Sequence, residues 1–209
     1  MTAWLVALLV ARSPSVGKEA ILADLERAGR SLRTMQASFV ETKVLVLLDE
    51  EEESRGNVAL QVPGRLRWTY TAPREGVMII RDGEFSRYFP KSNQVFRGQA
   101  KGEADLLVGF GPGAAELGSK YEVTLVGEEV VSGARAHVLD LAPRPEGGSG
   151  LFSGIRLWVH GERHIPVQTR LTEPTGDYTT IRFENVVIND RLPRGTFELD
   201  LPANVVELK

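Results

Sequence analysis

Residues 56–89 read G-N-V-A-L-Q-V-P-G-R-L-R-W-T-Y-T-A-P-R-E-G-V-M-I-I-R-D-G-E-F-S-R-Y-F. Within them Leu66-Arg67-Trp68-Thr69-Tyr70 alternates large apolar and polar side chains, the two-residue period of a strand with one buried face. Turn residues cut the stretch at Pro63-Gly64, at 73–76 and at Asp82-Gly83. Asp-Gly between two apolar runs is a strong hairpin signal, because both residues tolerate the positive φ of a tight turn. Strands are therefore expected at 55–61, 66–70, 77–81 and 84–89, and turns this short join antiparallel neighbours.

The pattern continues outward. Upstream, 37–48 (A-S-F-V-E-T-K-V-L-V-L-L) reads as a strand, and 49–53 as an acidic turn. Downstream, Lys91-Ser92-Asn93 turns into a strand at 94–97, giving a meander of six. A short helix is expected at 103–110 and a Gly/Ala-rich loop at 109–118. Strands resume at 121–126, 135–141, 154–159, 166–172, 178–188 and 196–199, with a flexible loop at 143–150. So many short strands must curl or close to manage their edges. Ahead of them, Ile21, Leu25, Ala28, Leu32 and Met35 repeat at helical spacing over 18–36, with Phe39 next in step. That stripe needs an apolar partner, and the mouth of a curled sheet offers one. The expectation is one domain over 18–209: a curled, incompletely closed antiparallel barrel of about ten to twelve strands with a helical lid.

Composition narrows the function. The chain has 209 residues, 42% of them hydrophobic and 25% charged, with a net charge of -3, which argues against nucleic acid as a partner. There is no cysteine, which excludes disulfides, thiolate metal sites and a lipidated N-terminal cysteine. Residues 3–11 form an uncharged apolar run of nine, too short to cross a bilayer but right for the hydrophobic region of a signal peptide. Residues 1–17 are accordingly expected to be an export segment, although no Lys or Arg precedes the run.

No catalytic constellation emerges. His160 and His164 flank a hairpin turn rather than one face of a helix, and neither they nor His137 suggests a third metal ligand nearby. Ser149 lies in a loop without the strand and helix that a nucleophile elbow needs. Ser15 and Lys18 share an S-x-x-K spacing but have no companion motif. Residues 109–118 lack the Gly-Lys-Ser/Thr of a phosphate loop, and 49–53 lack the interleaved spacing of a calcium loop. The reading is a non-enzyme with no metal and no cofactor.

Met35-Gln36-Ala37-Ser38-Phe39 after a helix resembles the opening of the LolA family of periplasmic outer-membrane lipoprotein carriers, where a helix leads into an "ASF" strand. Gly56 to Trp68 is similar to that family's strand–turn–strand segment ending in tryptophan, and Val77 to Tyr88 to its "DG" hairpin. Ile165-Pro166, Gly176, Thr179-Thr180-Ile181-Arg182-Phe183, Asn189, Phe197 and Pro202 follow in the family's order. The resemblance runs over most of 18–209.

It implies a soluble, monomeric periplasmic carrier that shelters the acyl chains of lipoproteins in a hydrophobic cavity. Such a carrier receives cargo from an inner-membrane release transporter and gives it to an outer-membrane acceptor. The acceptor of the same fold is itself a lipoprotein and would need a cysteine, so carrier is favoured over acceptor. A lipid-sensing regulatory module, a carrier of another lipid and a recruited enzyme are the alternatives. Under this reading the cavity is expected to be lined by Ile21, Leu25, Leu32, Phe39, Leu66, Trp68, Tyr70, Met78 and Ile80. One departure stands out: the family's arginine before the proline, implied to latch the lid, is Val62 here. Arg65 is the nearby candidate for that latch.

Overall fold

A computed structural model describes residues 17–100, 108–145 and 151–208. The expected export segment, apart from Gly17, and most of the expected helix at 103–110 and loop at 143–150 lie outside the described residues.

Twelve strands form one sheet in the order β12-β6-β5-β4-β3-β2-β1-β11-β10-β9-β8-β7. They are β1 (Thr34–Leu45), β2 (Glu50–Gln61), β3 (Arg65–Ala72), β4 (Gly76–Arg81), β5 (Glu84–Phe89), β6 (Gln94–Gln99), β7 (Tyr121–Val131), β8 (Ala134–Pro143), β9 (Gly154–His160), β10 (Pro166–Thr172), β11 (Tyr178–Ile188) and β12 (Val206–Leu208). All neighbours are antiparallel except β12 on β6. The two ends, β12 and β7, do not pair, so the curled sheet stays incompletely closed. Helices α1 (Lys18–Ser31) and α2 (Pro112–Lys120) pack on each other.

Four expectations need correction. Helix α1 ends at Ser31, not near Gln36, and Met35 and Phe39 belong to β1. Leu32 is extended, and the Asn189 side chain takes over at the break. Its Nδ2 donates to the Ser31 carbonyl (3.2 Å), and its Oδ1 accepts from the Arg33 N–H (2.7 Å). Those contacts satisfy a helix-end carbonyl and the amide just ahead of β1 together. The apolar spacing carried on because both segments turn the same residues toward one core.

The acidic run is a strand, not a turn. Glu50–Glu53 pairs with 42–45 of β1, and the hairpin turns at 46–49, where Asp49 takes a φ of 53°. Arg74 bonds Glu52, and Arg55 bonds Glu53 at 2.8 Å, which offsets the like charges. Third, the Gly/Ala-rich stretch expected as a loop holds α2. Fourth, 196–199 is not a strand. The segment after β11 crosses the outer face instead, where Arg67 donates to the carbonyls of Thr196 (3.2 Å) and Glu198 (2.9 Å).

Candidate functional site

The concave side of the sheet holds two environments. Beside α1 it is solid. Phe39 packs on Trp68 in a tilted pair with ring centroids 4.5 Å apart and meets Tyr70 edge-on at 5.4 Å. Trp68 meets Phe183 at 6.2 Å, and Phe183 meets Phe110 at 5.3 Å. Ile21, Leu25, Leu32 and Met78 are buried in the same cluster. Here the protein fills its own interior.

The filling stops near the β2–β3 turn. A half-open cavity of about 300 Å³ separates Leu60, Val62, Leu66 and Ile80 from Val108, Phe110 and Leu117. Arg65, Glu116 and Lys120 are exposed at its margin. The local sequence explains the space. Helix α2 reads P-G-A-A-E-L-G-S-K, so Leu117 is its one large apolar side chain, and its small residues cannot fill the volume beneath it.

Two close contacts hold α2 over the cavity. A Cβ on Gly29 of α1 would lie 2.5 Å from the Gly111 carbonyl oxygen and 2.7 Å from Ala114 Cβ, so the helices meet backbone to backbone. Val62 Cγ2 lies 3.1 Å from where a Cβ on Gly111 would be. Val62, which stands where the family resemblance expects a latching arginine, thus touches the lid through an apolar contact. Glu116 of α2 pairs with Lys120 at 2.5 Å, and Arg65 forms no ion pair among the described residues.

One polar pair sits on the inner face. Tyr70 Oη donates to Glu41 Oε2 at 3.0 Å. Burial raises the Glu41 pKa above the usual carboxylate value, against smaller lowering effects from the Tyr70 hydrogen bond, Arg87 and Lys43. Burial, followed by the charge of Glu41, also raises the Tyr70 phenol above its ordinary value. Elsewhere, His160 Nδ1 accepts the backbone N–H groups of Glu162 (3.1 Å) and Arg163 (3.3 Å), capping its hairpin. Among the described residues no group of three or more His, Asp or Glu is placed to hold a metal.

Of the residues expected to line a cavity, the structure brings Leu66 and Ile80 to its wall, and Arg65, the latch candidate, lies at its margin. Ile21, Leu25, Leu32, Phe39, Trp68, Tyr70 and Met78 lie in or against the packed cluster next to it. Leu60, Val62, Val108, Phe110 and Leu117 line the cavity without having been singled out for it. Leu60 could have been found, because Leu60, Leu66 and Ile80 are register partners across three strands. The residues around α2 carried no such signal.

Residues 30–200 match the family described as outer membrane lipoprotein carrier protein LolA. A protein of Methylococcus capsulatus named outer-membrane lipoprotein carrier protein is 27% identical over 178 residues, covering 84% of this chain and 81% of its own length. One of the same name from Chromobacterium violaceum is 27% identical over 184 residues, covering 88% and 85%. Among solved structures, an uncharacterised conserved protein from Thermus thermophilus superposes with a TM-score of 0.59 at 14% identity, over 91% of this chain and 97% of that one. MucB superposes with a TM-score of 0.57 at 18% identity, over 90% and 64%. The two structures speak for the fold alone. The family match spans well over half of the sequence, and the chain belongs to the outer membrane lipoprotein carrier protein LolA family.

Proposed function

We propose that this chain is a periplasmic, non-enzymatic carrier working as a monomer. It takes the acyl chains of lipoproteins into the cavity beneath α2 and conveys them from the inner to the outer membrane. A release transporter loads it and an outer-membrane acceptor unloads it. The observation that carries this reading is the half-open apolar cavity of about 300 Å³ in a member of a carrier family.

The physics suits the task. Each exposed CH2 of a lipid tail costs about 0.8 kcal/mol in water, and an apolar wall removes that cost without demanding a directional fit. The cavity lies at the small end of the range of ligand sites, roughly 300–1,000 Å³. A cargo with two or three tails therefore requires α2 to move outward. Gly109 and Gly111, with φ of 85° and 56°, precede the helix and supply the backbone freedom for that movement.

Ile80 is half-buried on the cavity wall, so Ile80→Trp should fill the space without burying a charge. Native mass spectrometry of both proteins purified from the periplasm would detect bound acylated species. The wild type should carry them, and the variant should carry several-fold less with an unchanged or raised Tm. Equal loading of the two would rule out this cavity as the cargo site.

A further inference from the structure

The β2–β3 turn also borders a second, polar pocket of about 570 Å³, lined by Arg65, Arg81, Arg191 and Arg194. It lies on the opposite face of the sheet. Leu66 and Ile80, partners across β3 and β4, face the apolar cavity, while the adjacent partners Arg65 and Arg81 line the polar one. Arg191 and Arg194 come from the segment that follows β11. All four arginines are exposed, and none has a side-chain hydrogen bond or ion pair among the described residues. Glu198 is the one carboxylate among the lining residues.

That is four guanidinium groups against one carboxylate, in a chain whose net charge is -3. Like charges directly opposite each other on neighbouring strands oppose folding, and Arg65 and Arg81 are such a pair. Glu84 faces Arg81 across the β4–β5 pair and Glu198 lines the pocket, yet among the described residues no carboxylate comes within ion-pair distance of Arg65 or Arg81. Guanidinium forks match the oxygens of a phosphate group, so the unmet chemistry of this pocket is that of an anion. The Thr34 and Thr196 hydroxyls on its wall already donate to the carbonyls of Asp190 (2.6 Å) and Pro193 (2.8 Å), which leaves the arginines as its main free donors. Arg65 lines both pockets and so joins the anion-seeking surface to the apolar cavity.

We infer that the arginine pocket binds a phosphate group, the headgroup of a lipid whose acyl tails enter the adjoining cavity. The tails lie beneath α2, the glycerol crosses the β2–β3 turn beside Arg65, and the phosphate rests among Arg81, Arg191 and Arg194. This rests on the carrier reading for the tails and extends it to tails joined to an anionic head.

The test titrates the full chain by calorimetry with three probes: short-chain phosphatidic acid, the diacylglycerol bearing the same two tails, and inorganic phosphate. The double variant Arg81→Gln/Arg194→Gln is titrated in parallel, and both side chains lie on the surface away from the apolar cavity. Wild type should bind phosphatidic acid at least about tenfold more tightly than diacylglycerol, the scale of one hydrogen bond to a charged group. The variant should lose that preference and keep its diacylglycerol affinity. Inorganic phosphate should compete with phosphatidic acid and not with diacylglycerol. Equal affinity for the two lipids in wild type overturns the headgroup site and leaves the carrier reading standing. Phosphate binding without a lipid preference does the same and assigns the pocket to a free anion. If neither lipid binds, both readings fall.

Discussion

At Gly56 the space that a side chain would need is already taken. A Cβ there would lie 1.9 Å from the Thr69 carbonyl oxygen and 2.7 Å from the Phe39 ring. The glycine sits where the β2–β3 register shifts, and its bareness leaves room for the Phe39 ring, which packs on Trp68. Gly56→Ala should therefore destabilise the fold by about 2–3 kcal/mol, the usual scale of an overpacked core, measured by urea unfolding. A second residue-scale effect depends on pH. Burial holds the Glu41 proton to a pH above its ordinary 4.5, so the ionised carboxylate lowers stability at neutral and alkaline pH. That loss is relieved as the pH falls through the raised folded value and is gone below the ordinary one. Glu41→Gln keeps an acceptor for Tyr70, so it should raise Tm at pH 8, by an increment that shrinks toward pH 4.5. An increment that does not vary with pH would show that ionisation of Glu41 is not the cause. The sequence displayed both residues, yet neither the ring over Gly56 nor the burial of Glu41 has a local signature.

The elements show where periodicity is a good guide and where it misleads. Strands β3, β4 and β5 were legible because their turns are chemically explicit: Asp82-Gly83 needs positive φ at both residues, and both have it. The end of α1 was not legible, because its stripe runs unbroken into β1 and the stop signal lies far along the chain. Asn189 supplies it, with a φ of 60° and bonds to Ser31 and Arg33. Asn189→Ala should remove those bonds and place an unsuited residue in a left-handed conformation, lowering stability by about 1–2 kcal/mol. Thermal unfolding reads the total, and faster amide exchange at 32–34 would place the loss at the junction. Helix α2 was missed for a different reason. Its glycines and alanines read as a loop, and tertiary contact rather than propensity makes it a helix: Gly29 of α1 presses against Gly111 and Ala114.

For the whole molecule, the open sheet divides into halves with different interiors. The half carrying β2, β3 and β4 curves over the cavity with α2 above it. The half running from β11 to β8 is solid within, through residues such as Leu139, Leu157 and Ile181, and carries a second buried cluster around Val138 and Trp158. Alternation in the sequence marked which side chains face inward, Leu66 and Trp68 among them. It could not say whether inward-facing groups meet one another or surround a space, since both arrangements have the same period. That distinction depends on residue sizes contributed by distant segments, here the small side chains of α2. It also governs how the molecule should respond to cargo. Tails entering beneath α2 would add contacts to the lid side of the cavity and none to the closed half. At short labelling times amide exchange reports local opening, and there bound lipid should protect α2 and the β2–β3 turn and leave β8, β9 and β10 unchanged. Global stability should rise as well, by about 2.7 kcal/mol when free lipid exceeds its Kd a hundredfold. Early protection spread evenly over both halves would mean that α2 is not the element that opens, and the space beneath it would lose its role as the port of entry.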